Sequence, residues 1–128
     1  MRKPVEFNKY PALLGEQVRF GPYKAVVKRI VDADTFYMLI DLGFNLYPFV
    51  VIRLNGFNAP ELSTPEGKAA KKFVSQLLTI GTHVLMYTLK DVQTFGRYVA
   101  DIYYVDEGGI KANLGDTLVE AGHAVRLT

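Results

Sequence analysis

Tyr23 to Ile30, Thr35 to Leu42 and Phe49 to Leu54 are three runs rich in aromatic and β-branched residues, joined by connections of only a few residues. Parallel neighbours need a crossover of roughly a dozen residues or more, so links this short force the three strands to run antiparallel. The segment from 23 to 54 is therefore a meander, with Gly43, Asn45 and Pro48 supplying the turn across Leu42 to Pro48. A doubly wound parallel sheet is excluded for this half of the chain.

A helix follows. Thr64 can cap its free amides, Pro65 suits the first helical position because its missing N–H is not needed there, and Glu66 favours the positive end of the dipole. Ala69, Ala70, Phe73, Val74, Leu77 and Leu78 draw one apolar stripe opposite Lys68, Lys71, Lys72 and Gln76, and Gly81 is expected to end the helix. His83 to Lys90 and Arg97 to Val105 read as a strand pair around the loop Asp91 to Gly96, and a second helix is expected from Asn113 to Ala121, stopped by Gly122. Three strands, a helix, two strands and a helix fit an α+β fold, mainly β: a five-stranded OB-type barrel with two packed helices. Closure into a barrel removes most exposed strand edges.

The chain has 128 residues, which is one domain, and 49% hydrophobic with 22% charged residues is the balance of a globular protein with a core of its own. Pro4, Pro11, Gly15 and Gly21 break up residues 1 to 22 into an irregular arm, leaving 23 to 128 as the domain proper. The absence of cysteine excludes disulfides, thiolate metal sites and thiol nucleophiles, and two isolated histidines leave hard oxygen ligands as the route to a metal. No stretch approaches the roughly 20 apolar residues that span a bilayer, and Met1 to Gln17 lacks the apolar core of a signal peptide. A soluble monomer is expected, either cytoplasmic or exported with its leader removed. Net charge is only +2, but residues 1 to 72 carry +4 and residues 73 to 128 carry −2, which favours an anionic partner near the first half.

Several polar residues stand where strands and turns do not require them. Asp34, within Asp32-Ala33-Asp34-Thr35-Phe36, is either a turn aspartate or a ligand, and Arg53, which interrupts Val50-Val51-Ile52-Arg53-Leu54, is either a snorkelling cation or an anion ligand. Asn58-Ala59-Pro60-Glu61 taken alone is a proline turn ending in a surface carboxylate, and Gly96-Arg97 is a turn with a solvated cation. His83 and His123 read as structural. Most of the 16 tyrosines and phenylalanines belong to the core, and Phe95 stands out as a possible base-stacking residue.

In combination these fragments say more. Asp-Ala-Asp-Thr-Phe, then Arg-Leu-Asn-Gly-Phe-Asn-Ala-Pro-Glu, then Phe-Gly-Arg, then Leu-Val-Glu-Ala-Gly-His-Ala, in that order over Ala25 to Val125, resemble the staphylococcal nuclease (thermonuclease) family. The resemblance implies a calcium-dependent phosphodiesterase on an OB barrel that cuts DNA and RNA with little sequence preference and leaves 5'-hydroxyl and 3'-phosphate ends. By the same resemblance Asp34 and Asn58 are metal ligands, Ala59 offers its backbone carbonyl, and Glu61 is the catalytic glutamate near the ion. Arg53 and Arg97 become the phosphate-binding arginines. Such a constellation suits phosphodiester hydrolysis, where guanidinium forks and a divalent cation, calcium or another, stabilise charge developing on the equatorial oxygens.

The chain departs from the family pattern at four places. Ala33 replaces a glycine, Asn58 replaces an aspartate, and Gln93 and Phe95 replace an aspartate and a tyrosine in the arginine loop. The sequence also ends at Thr128, ahead of the last helix and paired tyrosines of the staphylococcal enzyme. These departures define the alternative, a catalytically weakened module of the same fold that binds nucleic acid or a protein partner.

Overall fold

The computed structural model describes residues 19–90 and 98–127. The expected meander is present as β1 (Phe20–Asp32), β2 (Thr35–Asp41) and β3 (Phe49–Leu54), all antiparallel. Helix α1 (Pro65–Leu77) leads to β5 (His83–Lys90) and β6 (Tyr98–Val105), and α2 (Leu114–Glu120) completes the helices among the described residues. Three short strands were not anticipated: β4 (Phe57–Asn58), β7 (Lys111–Asn113) and β8 (Val125–Arg126).

The main sheet runs β3-β2-β1-β5-β6-β7, and β3 also pairs with β6 in parallel, so β1, β2, β3, β5 and β6 close into a five-stranded barrel of the OB type. β1 serves both β2 and β5, and its register shifts against β2 between Val27 and Arg29 and between Ile30 and Asp32 bend it around the barrel. Val27, Phe36, Met38, Ile52, Met86 and Ile102 fill the interior.

Thr64 caps α1, accepting the Gly67 N–H, and Pro65 opens its first turn. Ala70, Val74 and Leu78 are fully buried and Phe73 and Leu77 pack at the margin, whereas Ala69, placed on the stripe by periodicity, is exposed. The helix ends at Leu77, before Gly81. Gly81 instead sits at φ +93° and donates its N–H to the Val27 carbonyl at 2.8 Å, turning the chain into β5. Asn113 caps α2, and Leu114 and Leu118 drop into the core. His123 packs its ring on Phe73 of α1.

At the β2–β3 tip, Gly43, Phe44 and Asn45 all have positive φ, at 78°, 55° and 58°, and the Leu46 N–H closes the turn on the Gly43 carbonyl. Positive φ at both central positions follows the twist of a hairpin but strains a phenylalanine. Phe44 is 94% exposed, so no packing offsets that strain. Phe44→Gly is expected to stabilise the fold by about 1 kcal/mol, the left-handed penalty less the extra entropy of glycine. Thermal melts check this, with a rise of roughly 4 °C expected.

Candidate active site

The two-residue turn between β1 and β2 presents Asp34. Ala33, at the first turn position, is buried and has no positive φ, so this turn does not require glycine. Asp34 is itself 6% exposed, and a buried carboxylate must be matched by donors. Its Oδ2 accepts the Ala59 N–H at 3.0 Å and its Oδ1 accepts the Thr35 hydroxyl at 3.2 Å. Its carbonyl accepts the Leu54 N–H at 2.8 Å, which ties the turn to the end of β3.

Arg53 alternates with buried Ile52 and Leu54 along β3 and so points out of the barrel, directly opposite Thr35. Its Nη2 donates to Asn58 Oδ1 at 2.9 Å and lies 3.7 Å from Asp34 Oδ2. Asn58 is held in turn because β4 pairs with β8, Asn58 opposite Val125. Phe57 in β4 seats its ring against the Cα of Gly115 in α2, where no larger residue would leave room for it. The C-terminal elements therefore fix the segment that carries Asn58 and Ala59.

Glu61 is exposed, but its backbone is clamped. Its carbonyl accepts the Thr64 N–H at 3.0 Å and the Thr64 hydroxyl at 2.7 Å, and Gly67 packs directly on that carbonyl. The loop from Ala59 to Glu61 is thus pinned at one end by Asp34 and at the other by the first turn of α1. Arg97 and Phe95 lie outside the described residues. The chain enters β6 at Tyr98, which pairs with Ile52, the neighbour of Arg53.

Of the residues singled out from sequence, the structure brings Asp34, Arg53, Asn58 and Ala59 into one bonded patch. It adds Asp32, which the sequence reading passed over as part of the turn. The Asp32 carboxyl is raised from its ordinary value, first by burial and then by the hydrogen bond and the charge of the Asp34 side chain, against the opposing pull of the Asp34 N–H and Thr35. The signal in sequence was the Asp-Ala-Asp spacing, which a two-residue hairpin converts into two neighbouring carboxylates. Among the described residues no group of three carboxylates or imidazoles forms around them.

This raised pKa fixes a pH dependence. Folding disfavours the charged form, so the contribution of Asp32 to stability is present when it is protonated and is lost as pH rises through its folded pKa. Asp32→Asn keeps an oxygen for the Asp34 N–H and removes the charge. In chelator the variant is expected to melt higher than the parent at about pH 7, with the gain shrinking towards about pH 3 as the parent's carboxyl protonates. A difference in melting temperature that does not change with pH would contradict it.

The family described as "Staphylococcal nuclease homologue" matches residues 51–128. The chain is also similar to two curated proteins of Oryza sativa subsp. japonica. One is named probable staphylococcal-like nuclease CAN2, 44% identical over 52 residues, which are 41% of this chain and 14% of that protein. The other, probable staphylococcal-like nuclease CAN3, is 42% identical over 52 residues, 41% of this chain and 13% of that protein. The matched stretch is thus a small part of each relative.

Proposed function

The chain belongs to the staphylococcal nuclease homologue family, and on that premise we propose that it is a divalent-metal-dependent nuclease, calcium being the expected ion. It hydrolyses phosphodiester bonds of DNA or RNA with little sequence preference, to 5'-hydroxyl and 3'-phosphate ends. The observation that carries this reading is the bonded patch of Asp34, Arg53, Asn58 and Ala59 at one rim of the barrel.

The donor set fits a hard cation. Carboxylate oxygens of Asp34 and Asp32, the Asn58 amide oxygen and the Ala59 carbonyl would be ligands of the kind calcium prefers, and a cation held by them would offset the Asp34 charge that Asp32 feels. When bound, the ion supplies Lewis-acid stabilisation of the phosphate.

Arg53 spends one N–H on Asn58 and has others left in its fork of five donors for two phosphate oxygens. Because Asn58 and Asp34 already orient the guanidinium, little side-chain freedom is lost when charge develops on the phosphate. Arg97 is the second phosphate ligand in this reading, and Phe95 stacks on a base. Glu61, exposed on a clamped backbone, accepts the proton of the attacking water.

The test is nicking of supercoiled plasmid and cleavage of an unstructured RNA with calcium, with magnesium or with chelator. Cleavage that calcium supports and chelator stops is the expected result. Binding without cleavage in every metal would overturn it in favour of the noncatalytic module.

A further inference from the structure

Beyond Arg53 the outer face of the β2–β3 hairpin carries side chains that the hydrolytic patch does not use. Resting on the nuclease reading, we propose that this face is a track for single-stranded nucleic acid, along which the substrate extends away from the scissile phosphate.

The register lays the track out. Arg53 stands opposite Thr35, Val51 opposite Tyr37, and Phe49 opposite Leu39. These positions alternate with the buried Phe36, Met38 and Ile52, so they face outward together. Successive outward residues on one strand are about 6.6 Å apart, so Phe49 lies about 13 Å from Arg53, within reach of a few nucleotides of an extended strand.

Phe49 is 58% exposed and stacks on Tyr37 with ring centres 5.4 Å apart and planes 21° from parallel. Each ring of the pair turns one face towards the other, so the outer face of Phe49 is the aromatic platform offered to water, where monomeric proteins usually keep apolar patches small. Behind it, the register shift in β1 sets both Lys28 and Arg29 on the exposed side against Tyr37, and the Arg29 guanidinium lies 5.6 Å from the Tyr37 ring centre. The Tyr37 ring is thus flanked by Phe49 and Arg29, and the exposed Phe49 ring stands between Arg53 at one end of the face and the Lys28 and Arg29 pair along its flank.

That pattern discriminates among occupants. A base has a π face for the exposed Phe49 ring, and the phosphates on either side of it are anions for Arg53, Lys28 and Arg29. The apolar tip around Phe44 lies further along the hairpin, and residues 42 to 48 include no cation, whereas Arg53, Lys28 and Arg29 lie around the Phe49 and Tyr37 rings. A duplex keeps its bases stacked on each other and cannot use the platform.

The experiment is fluorescence anisotropy with labelled oligothymidylate of about 12 nucleotides, a length within the usual reach of this type of barrel, alongside a dinucleotide and a duplex of the same length. Chelator prevents turnover. Phe49→Ala and Arg29→Ala are each expected to weaken the longer strand about tenfold, one base's stacking or one phosphate contact, and to leave dinucleotide binding and cleavage unchanged. Phe49→Tyr, which keeps the ring, should bind as the parent does, and melting temperatures verify that the variants fold.

Equal affinity of all variants for the longer strand would overturn the track, while plasmid cleavage would still report on the nuclease reading separately. Phe49-dependent binding to phosphatidylserine and phosphatidylcholine vesicles, or Phe49-dependent self-association, with oligonucleotide binding unaffected, would also overturn it. The face would then belong to a lipid surface or a second copy of the chain.

Discussion

Glu61→Gln should cut nuclease activity by about two to four orders of magnitude, the usual worth of a positioned general base, and leave the melting temperature within about a degree of the parent. The first half follows from the proposed role of Glu61 as the base, the second from how Glu61 is held. Its side chain is exposed, so the amide removes no packing, and its position is set by the backbone through the Thr64 N–H and hydroxyl on its carbonyl. Glutamine keeps size and polarity and lacks only the basicity that takes a proton from water. The loss should therefore fall on kcat rather than on KM, since ground-state binding of the phosphate is assigned to the arginines. Steady-state kinetics on a short oligonucleotide and a thermal melt of the same preparation check it. Parent-like rates would remove Glu61 from the mechanism and leave the Asp34, Arg53 and Asn58 patch as a binding site.

The contrast between Glu61 and its neighbours also marks where sequence reasoning stops. The meander was legible because connections between Tyr23 and Leu54 are too short for any other arrangement, and α1 because Thr64, Pro65 and Glu66 each satisfy a different need of a helix start. The closure of β3 on β6 was not written in any local pattern. It pairs Ile52 with Tyr98 and Leu54 with Ala100, strands far apart in sequence, and only the fit of the core between them selects that register. The same holds for β4 and β8, two residues each, which no period can announce but which fix Asn58.

At the site, order along the chain identified Asp34, Arg53, Asn58 and Ala59 as partners but not their bonds. That Asn58 receives a guanidinium N–H, and that the Ala59 N–H closes on Asp34, are consequences of where β3 ends and β4 begins. Asp32 was missed for a related reason. The Asp-Ala-Asp spacing carries the signal, but it becomes a pair of facing carboxylates only when a two-residue hairpin sets the Asp32 carboxyl against that of Asp34.

Gly67→Ala should be the most disruptive of these single changes for stability, because of an approach that only a residue without Cβ allows. Gly67 is buried in the first turn of α1, and a methyl placed there would overlap the carbonyl carbon and oxygen of Glu61 and stand 2.9 Å from the Leu62 nitrogen. These are backbone atoms, so no rotamer can relieve the contact. Either α1 withdraws, exposing part of the surface under Ala70, Val74 and Leu78, or the loop from Ala59 to Glu61 shifts and strains the Ala59 bond to Asp34. Overpacking of this kind costs about 3 kcal/mol, and a fall of roughly 12 °C in melting temperature is expected. Activity should fall as well, measured well below the new melting point, because displacing a catalytic group by about 1 Å costs on the order of a hundredfold. The two losses separate the routes. A large drop in stability with parent-like kcat would mean that the helix yields and Glu61 stays. A small drop in stability with a large drop in kcat would mean that the loop yields, and that Gly67 sets the position of Glu61. Parent-like values of both, in urea unfolding and in cleavage, would show that α1 does not press on the Glu61 carbonyl in solution.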